Sequence, residues 1–394
     1  MTVTLTTAEV RGLRLRAQGL SGEPGEGGQA VAGGGADATA VVDRMFALQG
    51  QDLPGVLWSF GLRTDGADRS AVRAAFDAGA LVRTWPFRGT LHVLASADVG
   101  WVLALTGPRM IAAAARRRRE LDIDEGVLES AREVAAHELA RSARVSRTRF
   151  KEALDEAGVH TAGQRGYHLI SHLAIEGIVA FGPFDGAEQQ LVLVADHVPS
   201  PHRLDAEEGT REIVSRYLRG RGVATAADIS WWSGLPVRAL RAAAAELGDE
   251  VGAVQVGGVE HLAWVPLLDG GGAAGRTASG EARGGSRAAS ARPVLALPGF
   301  DELLLGYADR TATLAREHAA AIVPGGNGVF RRTLVQRGRV VGTWRATETG
   351  SDVRVVAETF GDVPRGVEAG LAREAARYAR FVGLPLREAT VAPG

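Results

Sequence analysis

The stretch Ala38–Phe60, ATAVVDRMFALQGQDLPGVLWSF, decides how the rest of the chain is read. Val42, Met45, Phe46 and Gln49 fall at i, i+3, i+4 and i+7, one stripe of a helix, and the spacing predicts a helix over Ala38–Gln51. Every member of that stripe is apolar except Gln49. A carboxamide on a core-facing stripe must find partners or line a cavity, because burying it unsatisfied costs roughly 1–3 kcal/mol. Asp52-Leu53-Pro54-Gly55 then stops the helix, since proline cannot continue it. Gln51 is left just past the last turn, able to face the same space as Gln49. Two readings stand at this point: glutamines satisfied by nearby backbone, or a polar pair presented to a site.

A chain of 394 residues is too long for one ordinary core and suggests roughly two to four modules. Its 45% apolar and 23% charged content is that of a soluble globular protein. The absence of cysteine excludes disulfides, zinc ribbons and thiol nucleophiles. No apolar run approaches the ~18–20 residues needed to cross a membrane. The first residues, MTVTLTTAEVRGLRLRAQGL, lack the charged start and apolar core of a signal peptide, so a cytoplasmic protein is expected.

The net charge of −1 argues neither for nor against nucleic acid, but the distribution is informative. Positive charge is almost wholly arginine, Lys151 being the only lysine, and it is clustered. Arg116–Arg119 form one cluster and run into Glu120, Asp122, Asp124 and Glu125, as a solvated face would. Arg141, Arg144, Arg147, Arg149 and Lys151 form a second. Arg331, Arg332, Arg337, Arg339 and Arg345 form a third, with no acid between Gly328 and Ala346. The planar arginine fork binds two phosphate oxygens at once, so the third cluster is the best candidate for phosphate.

Helices are expected over Thr7–Gln18, Ala38–Gln51 and Ser70–Ala78, followed by a hairpin over Leu81–Leu94, LVRTWPFRGTLHVL. Gly19–Gly35 is a Gly-rich loop. Helices followed by a hairpin are the outline of a winged helix. Two connecting helices, Val99–Arg119 and Glu125–Ala143, lead to a second such unit with helices Arg147–Ala157 and Tyr167–Glu176 and a hairpin turning at Phe184-Asp185-Gly186. A third has helices Arg211–Gly220, Ala226–Ser233 and Val237–Leu247 and a wing turning at Gly257-Gly258. The expected fold is therefore α+β: winged helices at 1–98, 144–198 and 205–268, connecting helices at 99–143, and a mobile Gly/Ala/Ser/Arg-rich insertion at 269–293. A C-terminal α+β unit at 294–394 carries the hairpin FRRTLVQRGRVVGTWR, turning at Arg337-Gly338, a strand at Val353–Thr359 and a helix at Val367–Phe381.

Few motifs carry chemistry by themselves. Gly25–Ala30 imitates a dinucleotide fingerprint but follows no strand. His168 and His172 have the spacing of two metal ligands, yet Leu169 stands where a zincin needs glutamate, and no metal is expected. Trp231-Trp232 reads as core. Asp301-Glu302 reads as an acid pair, or Asp301 as a helix cap or a partner for Arg310. Arg83, Arg88 and His92 lie on the strands or turn of the first wing, an element that commonly touches the DNA backbone or a groove; the two arginines could instead pair with local acids.

LQGQ, LVRTWPFRGTLHVL, DISWWSGL, LPGFDELLLGY and VVGTWR occur here in that order. Together they resemble the winged-helix DNA glycosylases of the AlkZ type, with the YcaQ-type enzymes as a sister group, over essentially the whole chain except the two Gly-rich insertions. The resemblance implies three tandem winged helices in a C-shaped array around duplex DNA. It implies hydrolytic release of N7-alkylated guanine, including bulky adducts and, in some members, interstrand crosslinks left by alkylating natural products. The family's catalytic Gln-x-Gln motif falls on Gln49 and Gln51. Its middle residue is usually aliphatic and is Gly50 here, which loosens the backbone by up to about 1 kcal/mol. The sister group has Asp at the position of Gln51.

That chemistry is sound from first principles. Alkylation at N7 makes guanine a cationic leaving group, so no strong general acid is needed. Two carboxamides can position water near C1′ and face the oxocarbenium-like sugar with their oxygens. No lysine lies near the motif to form a Schiff base, so a monofunctional, cofactor-free enzyme is expected. Its partner would be double-stranded DNA carrying alkylated purines. Arg83, Arg88, His92, Arg147, Arg149, Arg331, Arg332, Arg337 and Arg339 are the candidate DNA contacts, and a monomer associated with the nucleoid is expected. The role would be base excision repair or self-resistance to a genotoxic product. The competing readings are a winged-helix DNA-binding regulator and a protein that sequesters the drug.

Overall fold

Thr6 and Glu9 form a reciprocal capping box that starts the first helix, Thr7–Ala17. From there the structure, a computed structural model, describes residues 3–21, 37–198, 200–269 and 293–394. Residues 270–292 of the expected insertion and most of the loop Gly19–Gly35 lie outside the described residues. The chain divides into two units: Met1–Val72, Arg211–Trp232 and Pro236–Gly394 form unit 1, and Arg73–Thr210 with Ser233–Leu235 form unit 2.

In unit 1 the helix that begins at Ala38 ends at Met45, six residues earlier than its apolar stripe predicts. Phe46 adopts φ 65, a left-handed conformation that a bulky L residue occupies only when its surroundings hold it there. Those surroundings are visible: Phe46 is fully buried, its ring lies 6.1 Å from that of Trp232, and Arg216 stacks over it at 4.5 Å. Arg221 donates to the carbonyls of Met45 and Ala47, each at 2.9 Å, taking acceptors that a continuing helix would use. The chain then forms a short buried strand, Ala47–Gln49.

Asp52-Leu53-Pro54-Gly55, expected only to stop a helix, starts one: Leu53–Arg63. Proline fits the first turn because its missing N–H would have no intrahelical partner there. This helix packs on the C-terminal helix Val367–Val382, with Trp58 meeting Tyr378 and Phe381 at 5.1 and 5.2 Å. A Cβ on Gly61 would meet the Phe381 ring at 2.6 Å, so the helices approach as closely as they do only with glycine there. Beneath them lies a five-stranded sheet in the order Leu386–Pro393, Val353–Thr359, Arg339–Glu348, Thr333–Gln336 and Val294–Leu297. Val353, Val355, Ala357 and Thr359 alternate onto its buried face. The hairpin turns at Arg337-Gly338, both with positive φ, at the residues the sequence indicates.

The third hairpin, Val251–Val256 and Val259–Trp264, turns at Gly257-Gly258 as expected and gains a parallel strand, Val3–Leu5. In unit 2 the hairpins Leu81–Phe87/Thr90–Ala95 and Val179–Asp185/Glu188–Leu193 are joined through Arg83 and Phe181 into one antiparallel sheet. Helices Val99–Glu120, Glu125–Ser142, Arg147–Glu156 and Arg165–Ile175 belong to the same unit and share with the sheet a core that includes Trp85, Phe150, Leu173 and Phe181. Among the described residues no helix is long and apolar enough to cross a membrane.

Candidate active site

Gln49 ends the strand Ala47–Gln49 and is 6% exposed; Gly50 is buried and Gln51 is exposed. The expected helical stripe therefore does not place Gln49: the strand does. Its backbone N–H donates to Glu302 Oε1 at 2.9 Å. The other oxygen of Glu302 accepts from Arg221 Nε at 3.1 Å and Nη2 at 2.7 Å, and from Trp232 Nε1 at 3.1 Å. Arg221 and Glu302 have almost no exposed side-chain surface, 0% and 1%. An ion pair in so dry a setting is maintained only when its remaining donors and acceptors are filled, and here the strand bearing Gln49 fills them.

Asp301 is the neighbouring anchor. It caps the short helix Glu302–Leu305, accepts from Ser59 Oγ at 3.0 Å, and receives both terminal nitrogens of Arg63 at 2.9 Å. Burial pushes its carboxyl up, but the Arg63 charge and the hydrogen bonds from Arg63, Leu303 and Ser59 win and hold it below the usual carboxylate range. Arg63 also reaches Gln18 Oε1 at 3.0 Å; Gln18 donates to Tyr307 OH, which in turn donates to the Arg221 carbonyl at 2.6 Å. The cap reading of Asp301 thus holds, with Arg63 as its partner. Arg310 instead donates to the Leu304 carbonyl and stacks over Trp231 and Phe330. Sequence reasoning did not single out Arg221 or Arg63. Neither stands out in the sequence: Arg63 ends one helix, and Arg221 ends another that also carries Arg211, Arg216 and Arg219.

The candidate DNA contacts fare unequally. Arg331, Arg337 and Arg339 are exposed on unit 1, while Arg332 is half-buried with its guanidinium 5.1 Å from the Trp344 ring. Gly338, between Arg337 and Arg339, is buried and packs against Arg11 and Leu15, so the hairpin tip rests on the first helix. In unit 2, Arg147 is exposed. Arg149 differs from expectation: it bonds Glu156 at 2.8 and 3.1 Å and lies 3.4 Å from Glu138, so acids already compensate its charge. His92 also differs. It is 0% exposed, its Nδ1 lies 3.0 Å from the Thr90 carbonyl oxygen, and its ring meets Phe87 edge-on, so it packs and has no surface for phosphate. Arg88 is half-buried at the hairpin turn, and Arg83 is half-buried over the Phe181 ring at 4.9 Å. His172 pairs with Glu176 at 3.2 Å on a residue that also holds Arg132.

A family model described as DNA glycosylase AlkZ-like matches residues 42–381, a span that contains the glutamines, their clamp and the hairpin. The chain belongs to the AlkZ-like DNA glycosylases. An interstrand DNA cross-link repair glycosylase of Streptomyces sahachiroi is 27% identical over 380 residues, covering 89% of this chain and 93% of that one. The solved structure of Streptomyces sahachiroi DNA glycosylase AlkZ superposes with a TM-score of 0.76 at 23% identity, over 99% of this chain and 100% of the other. The mixed α+β architecture is therefore the AlkZ fold. In this DNA glycosylase, the internal Glu302–Arg221 pair has a plain consequence: it sets the backbone of Gln49, and Gln51, two residues on, is exposed.

Proposed function

We propose that this glycosylase hydrolyses the N-glycosidic bond of N7-alkylated guanine in duplex DNA, with bulky adducts and interstrand crosslinks among its substrates. The observation that carries the reading is the clamp: Glu302 and Arg221 fix the strand that ends at Gln49, and Gln51 follows at the surface beyond one glycine. The clamp fixes the backbone from which the two carboxamides extend, and dipoles aimed from a fixed frame stabilise charge that develops in a transition state. Gln51 orients the attacking water and turns its carboxamide oxygen toward the oxocarbenium-like sugar. Gln49, held from behind, aligns the scissile nucleotide. Two carboxamides and no amine in this segment make water the nucleophile, without cofactor or metal.

Three winged-helix modules present the arginines, and Arg83, Arg88, Arg147, Arg331, Arg337 and Arg339 supply phosphate contacts to a monomer on duplex DNA. The crosslink repair named for the Streptomyces sahachiroi relative supports the bulky end of the substrate range, and self-resistance to an alkylating natural product is the corresponding role. The test is single-turnover release of N7-methylguanine and unhooking of an N7–N7 crosslinked duplex by the purified protein. Release that the Gln49→Ala, Gln51→Ala double variant retains would sink the site, and no release from either substrate would sink the reaction.

A further inference from the structure

Unit 2 holds a cavity of about 450 Å³ whose lining includes neither Gln49 nor Gln51. Its size falls in the range of roughly 300–1,000 Å³ typical of small-molecule sites. Helix Val99–Glu120 supplies Met110 and Ala114 to one wall and helix Arg165–Ile175 supplies Tyr167 and His168 to the other. Trp85, 2% exposed, lines the buried side. Its Nε1 donates to the Tyr167 hydroxyl at 3.3 Å, and the rings meet edge-on at 6.0 Å, two contacts that restrain the Tyr167 side chain. The hydroxyl that accepts this bond still has its own proton to donate. His168 meets Tyr167 edge-on at 5.3 Å, and the Gly89 N–H fixes Met110 by donating to its sulfur at 3.3 Å.

Small residues leave a slot between these fixed groups: Ala113, Ala114, Gly89 and Gly234 all line it. Its charge is one-sided. Arg88 and Arg109 line the cavity, and the described residues that line it include no carboxylate. His168 is held below the usual imidazole range by burial and then by Arg117 and Arg118, so it is neutral at pH 7 and can accept or donate a hydrogen bond.

We propose that this cavity is a nucleotide site, with a purine ring seated between Tyr167 and Met110 beside Trp85 and its phosphate held by Arg88 and Arg109. An aromatic wall with a thioether opposite suits a flat π system, and paired guanidinium groups suit a phosphate. The ligand has two sources, a nucleotide turned out of the duplex or a free nucleotide. The assignment does not depend on the roles of Gln49 and Gln51.

The full chain titrated with 2′-deoxyguanosine 5′-monophosphate, followed by ligand-observed NMR, tests it. The nucleotide is expected to bind, deoxyguanosine without phosphate to bind several-fold more weakly, and Ala114→Phe, which fills the slot, to lose about tenfold in affinity. Arg109→Ala should lose affinity for the nucleotide but not for the nucleoside, a distinction a structural role would not produce; thermal melting shows whether each variant is folded. If the source is the duplex, the mononucleotide competes with lesion DNA and Ala114→Phe weakens lesion binding. If it is free nucleotide, Ala114→Phe changes mononucleotide binding alone. Absence of binding to the parent protein at millimolar nucleotide, or binding that a folded Ala114→Phe retains in full, overturns the assignment whether or not the enzyme releases bases.

Discussion

Glu302 and Gln49 meet across 253 positions of sequence: the carboxylate accepts the glutamine's backbone N–H at 2.9 Å while its second oxygen binds Arg221. A single carboxylate thereby ties the candidate catalytic strand to a buried charge. Because it fixes the main chain, the side chain of Gln49 remains to be directed by what surrounds it.

Glu302→Gln should destabilise the protein by roughly 3–5 kcal/mol, the usual cost of leaving one partner of a buried ion pair uncompensated. Arg221 would keep its bonds to the Met45 and Ala47 carbonyls but lose the opposing charge. Urea denaturation monitored by tryptophan fluorescence measures this, and a loss under about 1 kcal/mol would show that the clamp does not support the strand.

Acid should weaken the same region through Asp301. Its folded pKa is depressed, so its contribution to stability is fully present above the unfolded value of 3.8 and is lost as pH falls from there through the folded pKa. Asp301→Asn is expected to lower stability at pH 7 and to flatten its dependence on pH below about 4. A pH series of melting temperatures checks both, and an unchanged acid slope in the variant would assign the acid sensitivity to other groups.

Part of this arrangement is legible in the sequence and part is not, for identifiable reasons. The Arg337-Gly338 and Gly257-Gly258 turns are readable because two-residue hairpins favour residues tolerant of positive φ, and glycine marks them. The end of the helix at Met45 is not readable locally. The stripe Val42, Met45, Phe46 is apolar in both outcomes, and the choice is made by Arg221, far along the chain. Pro54 is ambiguous by nature, since the residue that cannot sit inside a helix is favoured in its first turn. Around His92 the alternation that separates a buried strand face from an exposed one fails, because Leu91, His92, Val93 and Leu94 are all buried. The Gln-x-Gln positions themselves come from the resemblance; composition and periodicity left them as one of two readings.

DNA binding should be chiefly electrostatic despite the net charge of −1. Arg331, Arg337, Arg339 and Arg147 are exposed, and each phosphate neutralised contributes a slope near −0.9 in log K against log salt, so a slope for roughly three to six contacts is expected. Arg337→Ala with Arg339→Ala should reduce that slope and weaken binding, with stability within about 1 kcal/mol of the parent because both side chains are exposed. Fluorescence anisotropy at several salt concentrations decides it: an affinity insensitive to salt, or a double variant that binds like the parent, removes the hairpin from the interface.

Gln51→Ala should abolish most base release, and Gln51→Asp should retain some. Gln51 is exposed beside a buried glycine and a backbone-anchored Gln49, so its side chain can be changed with little disturbance of the core. Alanine removes the oxygen that orients water and the dipole facing the cationic sugar; loss of one such preorganised group typically costs about 10²–10³ in rate. Aspartate keeps an acceptor of similar reach and adds a full negative charge, which stabilises the oxocarbenium and can take a proton from water. It also loses the amide donors and repels phosphate, so duplex affinity should fall while the rate on bound substrate survives. Single-turnover release of N7-methylguanine and of a bulkier N7 adduct, with DNA binding measured in parallel, separates these effects. A Gln51→Ala rate within about threefold of the parent, under 1 kcal/mol of barrier, with binding intact would remove Gln51 from the chemistry. It would leave the Glu302–Arg221 clamp as a support for Gln49 alone.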